Sequence, residues 1–175
     1  CNCDAHARED VKARGEDADE PTERYVRLFN ESISTKPQSM NIAIHLCRGN
    51  NRSQWYAEGG YDAIAEKLFA RLNVDAFLLE YESERAGTFE PLRFVPRGKT
   101  VVLGLVSSKL ADMESPDHLA RRIDEASKYV PLENLALSPQ CGFASTMEGN
   151  LLTEDQQWQK LGLVVETARK VWSTV

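Results

Sequence analysis

The sequence has few of the features that mark a membrane protein or a nucleic-acid-binding protein. No apolar run approaches the roughly 20 residues that a helix needs to cross a bilayer, so we expect no membrane partner. Positive charge is also in short supply, because 21 Lys and Arg face 27 Asp and Glu, for a formal net charge of −6. The basic residues are scattered, and we therefore expect no nucleic-acid partner.

Cysteine and histidine are scarce, with 4 Cys and 3 His in 175 residues. No positively charged start followed by an apolar run is present, so the sequence predicts no signal peptide. We therefore expect the thiols to stay reduced in the cytoplasm, where they serve metal binding or chemistry more often than crosslinking. Cys1 and Cys3, in the polar start of the chain, are expected to be bystanders.

Residues 1–20 are a polar lead-in segment with almost no large apolar side chains, which predicts a loop or a solvated connecting helix. From residue 21 to residue 175, apolar strands alternate with amphipathic helices. The predicted strands cover 41–47, 75–82, 100–108 and 134–139. The predicted helices begin at Pro21, cover 61–72 and 115–130, and end with one that follows Thr153.

The starts of two helices are marked by capping residues. Ser115 before Pro116 is typical of an N-cap followed by a first helical turn. Thr153 with Gln156 three residues later predicts a capping box. The last helix is expected to bury Trp158, Leu161, Val165, Ala168 and Trp172.

Apolar strands that alternate with amphipathic helices predict an α/β fold with a parallel sheet covered on both faces. Four β/α units are compatible with two architectures, a small open sheet or half of a (β/α)8 TIM barrel. In a barrel, functional residues gather at the carboxyl ends of the strands. The residues at the carboxyl ends of the predicted strands therefore help to distinguish half of a barrel from a small open sheet.

Polar side chains that can bind a metal follow the predicted strands at the same end. They are His45 and Cys47 after the first strand, Glu80 and Glu82 at the second, Ser107, Ser108 and Lys109 at the third, and Cys141 after the fourth. Two thiolates, an imidazole and a carboxylate are a ligand set that suits Zn²⁺. Spacing alone does not choose between the two glutamates, and cysteines that merely pack beside a hydrogen-bonded histidine are the structural alternative.

Four motifs in order carry a resemblance to a known family: "HLCRGN", "FLLEYESERAGTFEPLRFVP", "GLVSSK" and "LALSPQCGFAS". Together they resemble the C-terminal catalytic barrel of the cobalamin-independent methionine synthases. The resemblance is closest to short single-barrel members, within the superfamily that also holds uroporphyrinogen decarboxylase. It implies a (β/α)8 barrel of which residues 21–175 form roughly the C-terminal four β/α units.

The same resemblance implies a catalytic zinc bound by His45, Cys47, Glu80 and Cys141. It also implies a reaction in which a methyl group passes from a 5-methyltetrahydrofolate polyglutamate to the thiol of homocysteine and forms methionine. Both substrates are small molecules. Zinc would hold the thiol as a nucleophilic thiolate near neutral pH, where a free thiol of pKa about 8.5 is mostly protonated.

The leaving N5 of the folate needs a proton as the methyl group moves. The long methionine synthases carry a His after the third of these strands, whereas this sequence has Glu114 at that point. Glu114 is therefore our candidate for the acid, while His118 is expected to be a solvated surface residue. Ser107 and Ser108 are either substrate contacts or small structural residues at a strand end.

Four strands do not close a barrel, and an open parallel sheet has two unpaired edges. We therefore expect self-association or a partner that completes the barrel. Two alternatives to methionine synthesis remain: alkyl transfer to or from a different thiol, and a zinc-binding fragment that is catalytically incomplete.

Overall fold

The computed structural model describes residues 2–173, and within them four strands form one parallel sheet. The strands are paired in the order β1-β2-β3-β4, so each is hydrogen-bonded to the next one along the chain. This order requires a crossover after every strand, which is the arrangement of β/α units. The strands are β1 (Ala43–Leu46), β2 (Ala76–Glu80), β3 (Thr100–Val106) and β4 (Leu135–Pro139).

In the described part of the chain, five α-helices accompany the sheet: α1 (Ala5–Ala13), α2 (Glu20–Ser32), α3 (Ala65–Phe69), α4 (Pro116–Ser127) and α5 (Glu154–Trp172). The capping box of Thr153 and Gln156 is confirmed at the start of α5. Ser115 occupies the N-cap position of α4 as predicted, but its side chain makes no capping hydrogen bond. The helix predicted over 61–72 is shorter, because Tyr61 to Ile64 form turns before α3 begins.

The lead-in segment contains a helix, which is the second of the two forms that the sequence predicted for it. The side chain of Asp4 caps α1 by accepting a hydrogen bond from the backbone N–H of Ala7 at 3.0 Å. No residue within α1 is buried, in keeping with the polar sequence. Cys1 lies outside the described residues.

The two faces of the sheet differ in the size of their side chains. Phe77, Leu79, Val101 and Leu103 are buried and belong to the core that the helices cover. Because side chains alternate along a strand, the residues between them point to the other face. That second face is built largely of small side chains and carries His45 and Glu80 at one end. Its other members are Ala43, Ala76, Leu78, Val102, Gly104, Ala136 and Ser138.

The prediction for the buried side of α5 is wrong in part: Leu161, Ala168 and Trp172 are half-buried, and Trp172 packs against the core, but the other two residues are exposed. Trp158 is 61% exposed and Val165 is 43% exposed, whereas the buried residues are Lys160, Leu163 and Thr167. The predicted stripe followed the large apolar side chains. The helix instead turns a lysine inward, because Lys160 has an ion-pair partner below it, Glu114, at 3.0 Å.

The described chain shows an α/β fold in which β1 and β4 are the edges of the sheet. An eight-stranded barrel stays a prediction, as does the boundary between a lead-in segment and a domain at residue 21. Within residues 2–173, no helix has both the length and the apolar composition that crossing a bilayer requires.

Candidate metal centre

Four side chains that were predicted from separate strand ends come together in the structure. His45 belongs to β1, Cys47 follows that strand directly, Glu80 is the last residue of β2, and Cys141 lies two residues after β4. Each offers one potential ligand atom, and these atoms all lie within 4.8 Å of one another. The two sulfur atoms are 3.7 Å apart.

The parallel register explains why residues so far apart in sequence meet. His45 is opposite Leu78 in the pairing of β1 with β2, so Glu80 projects from the same face two residues nearer the strand end. The Nε2 atom of His45 lies 3.8 Å from Oε1 of Glu80. β4 pairs with β3 and delivers Cys141 to the same end of the sheet.

The structure separates the two glutamates that spacing could not separate. Glu80 is fully buried and joins the cluster. Glu82 instead forms an ion pair with Arg85, and both side chains are almost fully buried. Arg85 also lies over the ring of Trp55, with its guanidinium carbon 4.7 Å from the ring centroid.

The cluster has the electrostatic character of a cation site. Oε1 of Glu80 is buried and has no hydrogen-bond partner among residues 2–173. A buried carboxylate oxygen without a partner is destabilising unless a cation reaches it. Burial raises the pKa of Glu80, and the positive charge of Lys109 opposes that rise. The donor set and the orphaned oxygen both fit a zinc ion.

Hydrogen bonds among the two thiols and the imidazole shift the pKa values of all three groups. The pKa of Cys141 is lowered, because the thiol of Cys47 and then the ring of His45 donate hydrogen bonds to its sulfur. The pKa of Cys47 is raised by that same hydrogen bond and by burial. The pKa of His45 is raised, with the hydrogen bond to Cys141 as the main cause. A thiolate, the form that binds metals, is therefore favoured at Cys141.

A buried arginine and a buried tyrosine hold the glutamate in place, and the sequence analysis missed both. Arg48 is 1% exposed and donates from Nη1 to the hydroxyl of Tyr61 at 3.0 Å and to the backbone oxygen of Glu80 at 3.1 Å. It also donates from Nε and Nη2 to the backbone oxygen of Gly59. The Tyr61 hydroxyl accepts a hydrogen bond from the backbone N–H of Glu80 at 3.0 Å. The signal in the sequence was the position of Arg48, directly after Cys47.

The predicted catalytic residues are not among the four members of the cluster: Ser107 and Ser108 directly follow β3, and Glu114 lies in the segment between β3 and α4. Glu114 pairs with Lys160, and its Oε1 accepts the backbone N–H of Ser107 at 2.7 Å. The hydroxyl of Ser107 donates to Oε1 of Gln140 at 3.1 Å. Ser108 is fully buried, and its hydroxyl has no partner within the described part of the chain. The catalytic roles of Glu114, Ser107 and Ser108 stay predictions.

The fold and the cluster together define a class: a parallel α/β domain with a candidate metal centre of two cysteines, a histidine and a glutamate at its strand ends. Comparison with known families gives a sharper result. Residues 4–170 match the family described as "Cobalamin-independent synthase, Catalytic domain". The chain belongs to this family, and the resemblance seen in the sequence motifs is confirmed.

Individual relatives agree with the family match. The uncharacterized protein YxjG of Bacillus subtilis (strain 168) is 53% identical over 163 residues, which are 93% of this chain and 43% of that protein. The 5-methyltetrahydropteroyltriglutamate–homocysteine methyltransferase of Blochmanniella pennsylvanica (strain BPEN) is 23% identical over 142 residues, covering 77% of this chain and 16% of that enzyme. The chain thus spans less than half the length of these relatives.

A solved structure shows the same fold. It is a crystal structure from Listeria monocytogenes, of a protein provisionally described as a vitamin-B12 independent methionine synthase. The two share 42% sequence identity and superpose with a TM-score of 0.67 over 86% of this chain and 41% of that one. The observed α/β fold is therefore similar to that of methionine synthase catalytic domains.

Proposed function

We propose that the chain is part of a zinc-dependent methyltransferase that moves a methyl group from 5-methyltetrahydrofolate polyglutamate to the thiol of homocysteine and forms methionine. The observation that carries the proposal is the convergence of His45, Cys47, Glu80 and Cys141 within 4.8 Å of one another. The family match and the reaction named for the Blochmanniella relative support it.

The four residues would hold Zn²⁺, which holds a substrate thiol as thiolate near neutral pH. Two thiolates and one carboxylate give the occupied centre a formal charge of −1, so it is electron-rich and keeps a bound sulfur nucleophilic. Glu80 carries the hardest donor atom of the set. We therefore propose that its carboxylate is the ligand that yields when a thiol enters.

The residues around the cluster orient this glutamate. Both backbone groups of Glu80 are held: Arg48 donates a hydrogen bond to its C=O, and the Tyr61 hydroxyl accepts one from its N–H. The backbone N–H of Arg48 also donates to Oε2 of Glu80 at 3.3 Å. The carboxylate is thus anchored at one oxygen, while Oε1 stays available to the centre.

Glu114 remains our proposal for the acid that protonates N5 of the leaving folate, with Ser107 and Ser108 as substrate contacts. In the structure, Glu114 is engaged by Lys160 and by the N–H of Ser107. An acid role therefore requires Glu114 to leave Lys160 and to take up a proton from water before it can protonate N5. Glu114→Gln keeps the shape and removes the acid, so it should lower the methyl-transfer rate while zinc stays bound.

Zinc analysis of the purified, reduced 175-residue chain tests the proposal first. We expect about one zinc per chain in the parent and a large loss in Cys141→Ala, because the substitution removes one of the two sulfur donors of the proposed centre. Cys3→Ala is the matched control, since Cys3 is a free cysteine outside the cluster. Zinc that is absent from the folded parent, or retained equally in Cys141→Ala, would contradict the proposed centre.

A narrower proposal concerns the compartment in which the chain works. The free thiols of Cys47 and Cys141 must stay reduced to hold a metal, so we propose the cytoplasm as the compartment.

The alternative reaction, alkyl transfer involving a different thiol, is distinguished from methionine synthesis by supplying different thiols in turn to the zinc-loaded chain. A chain that binds zinc but transfers no methyl group from any folate donor would favour a catalytically incomplete unit.

A further inference from the structure

Lys109 is a buried cation that the proposed chemistry has not used. It follows Ser107 and Ser108 at the end of β3 and is only 4% exposed. Its Nζ atom has no hydrogen-bond partner among residues 2–173. The other deeply buried lysine, Lys160, is held by Glu114 at 3.0 Å. Because an unpaired buried ammonium is destabilising, the position of Lys109 requires negative charge nearby.

Lys109 follows β3 at the same end of the sheet as the candidate metal centre, whose carboxylate and cysteines can carry negative charge. The backbone N–H of Lys109 donates to the hydroxyl of Ser107 at 3.2 Å, and that hydroxyl donates to Gln140. Gln140 directly precedes Cys141, so the backbone of Lys109 is tied to the strand end that delivers one candidate ligand. β3 lies between β2, whose last residue is Glu80, and β4, so Lys109 follows the strand that separates these two candidate ligand positions.

The formal charge of the occupied centre suggests a role for Lys109. Two thiolates and a carboxylate around Zn²⁺ carry a formal charge of −1, and an entering anionic sulfur adds one more negative charge. A fixed positive charge beside the centre offsets that repulsion, and low-polarity surroundings let it act through space. A neutral thioether, which is the sulfur of the product, gains nothing from the same lysine.

We propose that Lys109 is a positioning residue that offsets the negative charge of the centre and so favours an anionic thiol substrate over its neutral thioether product. The inference rests on the proposed function. It assigns Lys109 an effect on ligand choice that acts through the centre, without direct contact with the ligand.

The experiment compares two ligands that differ in the charge of their sulfur. The 175-residue chain is loaded with Co²⁺ in place of zinc, so that its absorption spectrum reports sulfur binding, and is titrated with homocysteine and with methionine. In Lys109→Met and Lys109→Gln, we expect the dissociation constant of homocysteine to rise roughly tenfold and that of methionine to stay unchanged. Lys109→Arg keeps the charge and should bind homocysteine nearly as the parent does.

Lys99→Met is the matched control. Lys99 directly precedes β3, whereas Lys109 lies three residues beyond its last residue, so the two lysines flank the same strand. The Nζ atom of Lys99 donates to the backbone oxygen of Val74, at the end of the sheet away from the centre. Removing this charge should change neither dissociation constant. Circular dichroism verifies that each variant is folded, and Lys109→Gln replaces Lys109→Met if the latter does not fold.

The remaining outcomes contradict either the inference about Lys109 or the proposed function on which it rests. An equal loss of affinity for both ligands overturns the inference, because Lys109 would then contact the amino-acid part that they share. Unchanged affinities in folded Lys109 variants overturn it as well. A parent chain that takes up no cobalt, or takes up cobalt and binds no thiol, overturns the proposed function and this inference with it.

Discussion

Arg48 and Tyr61 form the buried support of the candidate metal centre at the scale of single residues. The guanidinium carbon of Arg48 lies 4.3 Å from the centroid of the Tyr61 ring, so the pair is stacked as well as hydrogen-bonded. Burial is the main cause that raises the pKa of Tyr61, which keeps its hydroxyl neutral and able to donate. That hydroxyl donates to the backbone oxygen of Leu46 at 3.3 Å. One oxygen atom thus joins β1, β2 and Arg48.

Removing that oxygen tests the support directly. Tyr61→Phe leaves the N–H of Glu80 and one N–H of Arg48 without their partner in a buried place. We expect the free energy of unfolding, measured in urea, to fall by about 1–3 kcal/mol. Tyr25→Phe is the control, because Tyr25 is 45% exposed, and it should change stability by less than about 0.5 kcal/mol. Equal stability of the two variants would contradict a supporting role for the Tyr61 hydroxyl.

At the scale of elements, α5 is joined to the end of β3 by a buried ion pair. Lys160 donates to the backbone oxygen of Asp112 at 2.6 Å and to Glu114 at 3.0 Å. Glu114 in turn accepts the N–H of Ser107. The segment between β3 and α4 is therefore held against α5, which keeps the strand end beside the centre in one position.

Breaking this pair should be costly because it leaves Glu114 without its cation. We expect Lys160→Met to lower the free energy of unfolding by about 3–5 kcal/mol. Lys170→Met is the control in the same helix, since the Lys170 and Asp117 side chains are 62% and 77% exposed, and it should cost less than about 1 kcal/mol. Thermal or urea unfolding of both variants measures the difference. A similar small cost for both would show that the buried pair is not a structural link.

Three helices meet at Asp19, and their contact should depend on pH. Hydrogen bonds from Lys67 and then Arg8 lower the pKa of Asp19 from 3.8 to about 2. A carboxylate whose pKa is lowered on folding stabilises the protein above its unfolded pKa, and the contribution is lost as pH falls through the folded value. Asp19→Asn should cost about 1 kcal/mol or less at pH 7, because the side chain is 35% exposed.

The difference between parent and Asp19→Asn should shrink as pH falls from about 4 to about 2, and unfolding at several pH values measures it. Asp117→Asn removes an exposed carboxylate instead and should show a smaller difference at every pH. A difference for Asp19→Asn that persists unchanged below pH 2 would contradict the ion-pair explanation.

At the scale of the whole molecule, the sheet has two open edges in the described part of the chain. β1 and β4 each pair with one neighbour only, so backbone N–H and C=O groups along their outer sides lack strand partners. Unpaired edges of this kind favour association with another strand. The chain also spans 43% of the length of YxjG. We propose that a second copy, or a chain that supplies further strands, covers these edges.

Sedimentation of the purified 175-residue chain tests this proposal. We expect dimers or larger species at micromolar concentration, and binding of a dye that reports exposed apolar surface. Adding a polypeptide that supplies the strands flanking β1 and β4 should reduce both. A monodisperse monomer that binds no such dye would contradict the expectation.

Much of the fold was predictable because it depends on local patterns. Apolar runs placed all four strands, and the Thr153–Gln156 spacing placed the start of α5. The parallel arrangement also made the meeting of His45, Cys47 and Cys141 predictable, since the ends of parallel strands share one edge. The inward face of α5 was not predictable, because Lys160 is buried only where Glu114 lies opposite it.

The sequence by itself determined the order of strands and helices and the set of donor residues, because both follow from periodicity and from chemistry carried by single residues. Only the tertiary structure decided which glutamate joins the cluster, since Glu80 and Glu82 point to the same side of a strand in an isolated segment. Arg85 engages Glu82 and leaves Glu80 to the centre. The tertiary structure also decided that Lys109 is buried with no hydrogen-bond partner for its Nζ among residues 2–173, because this depends on long-range packing that no local sequence pattern contains.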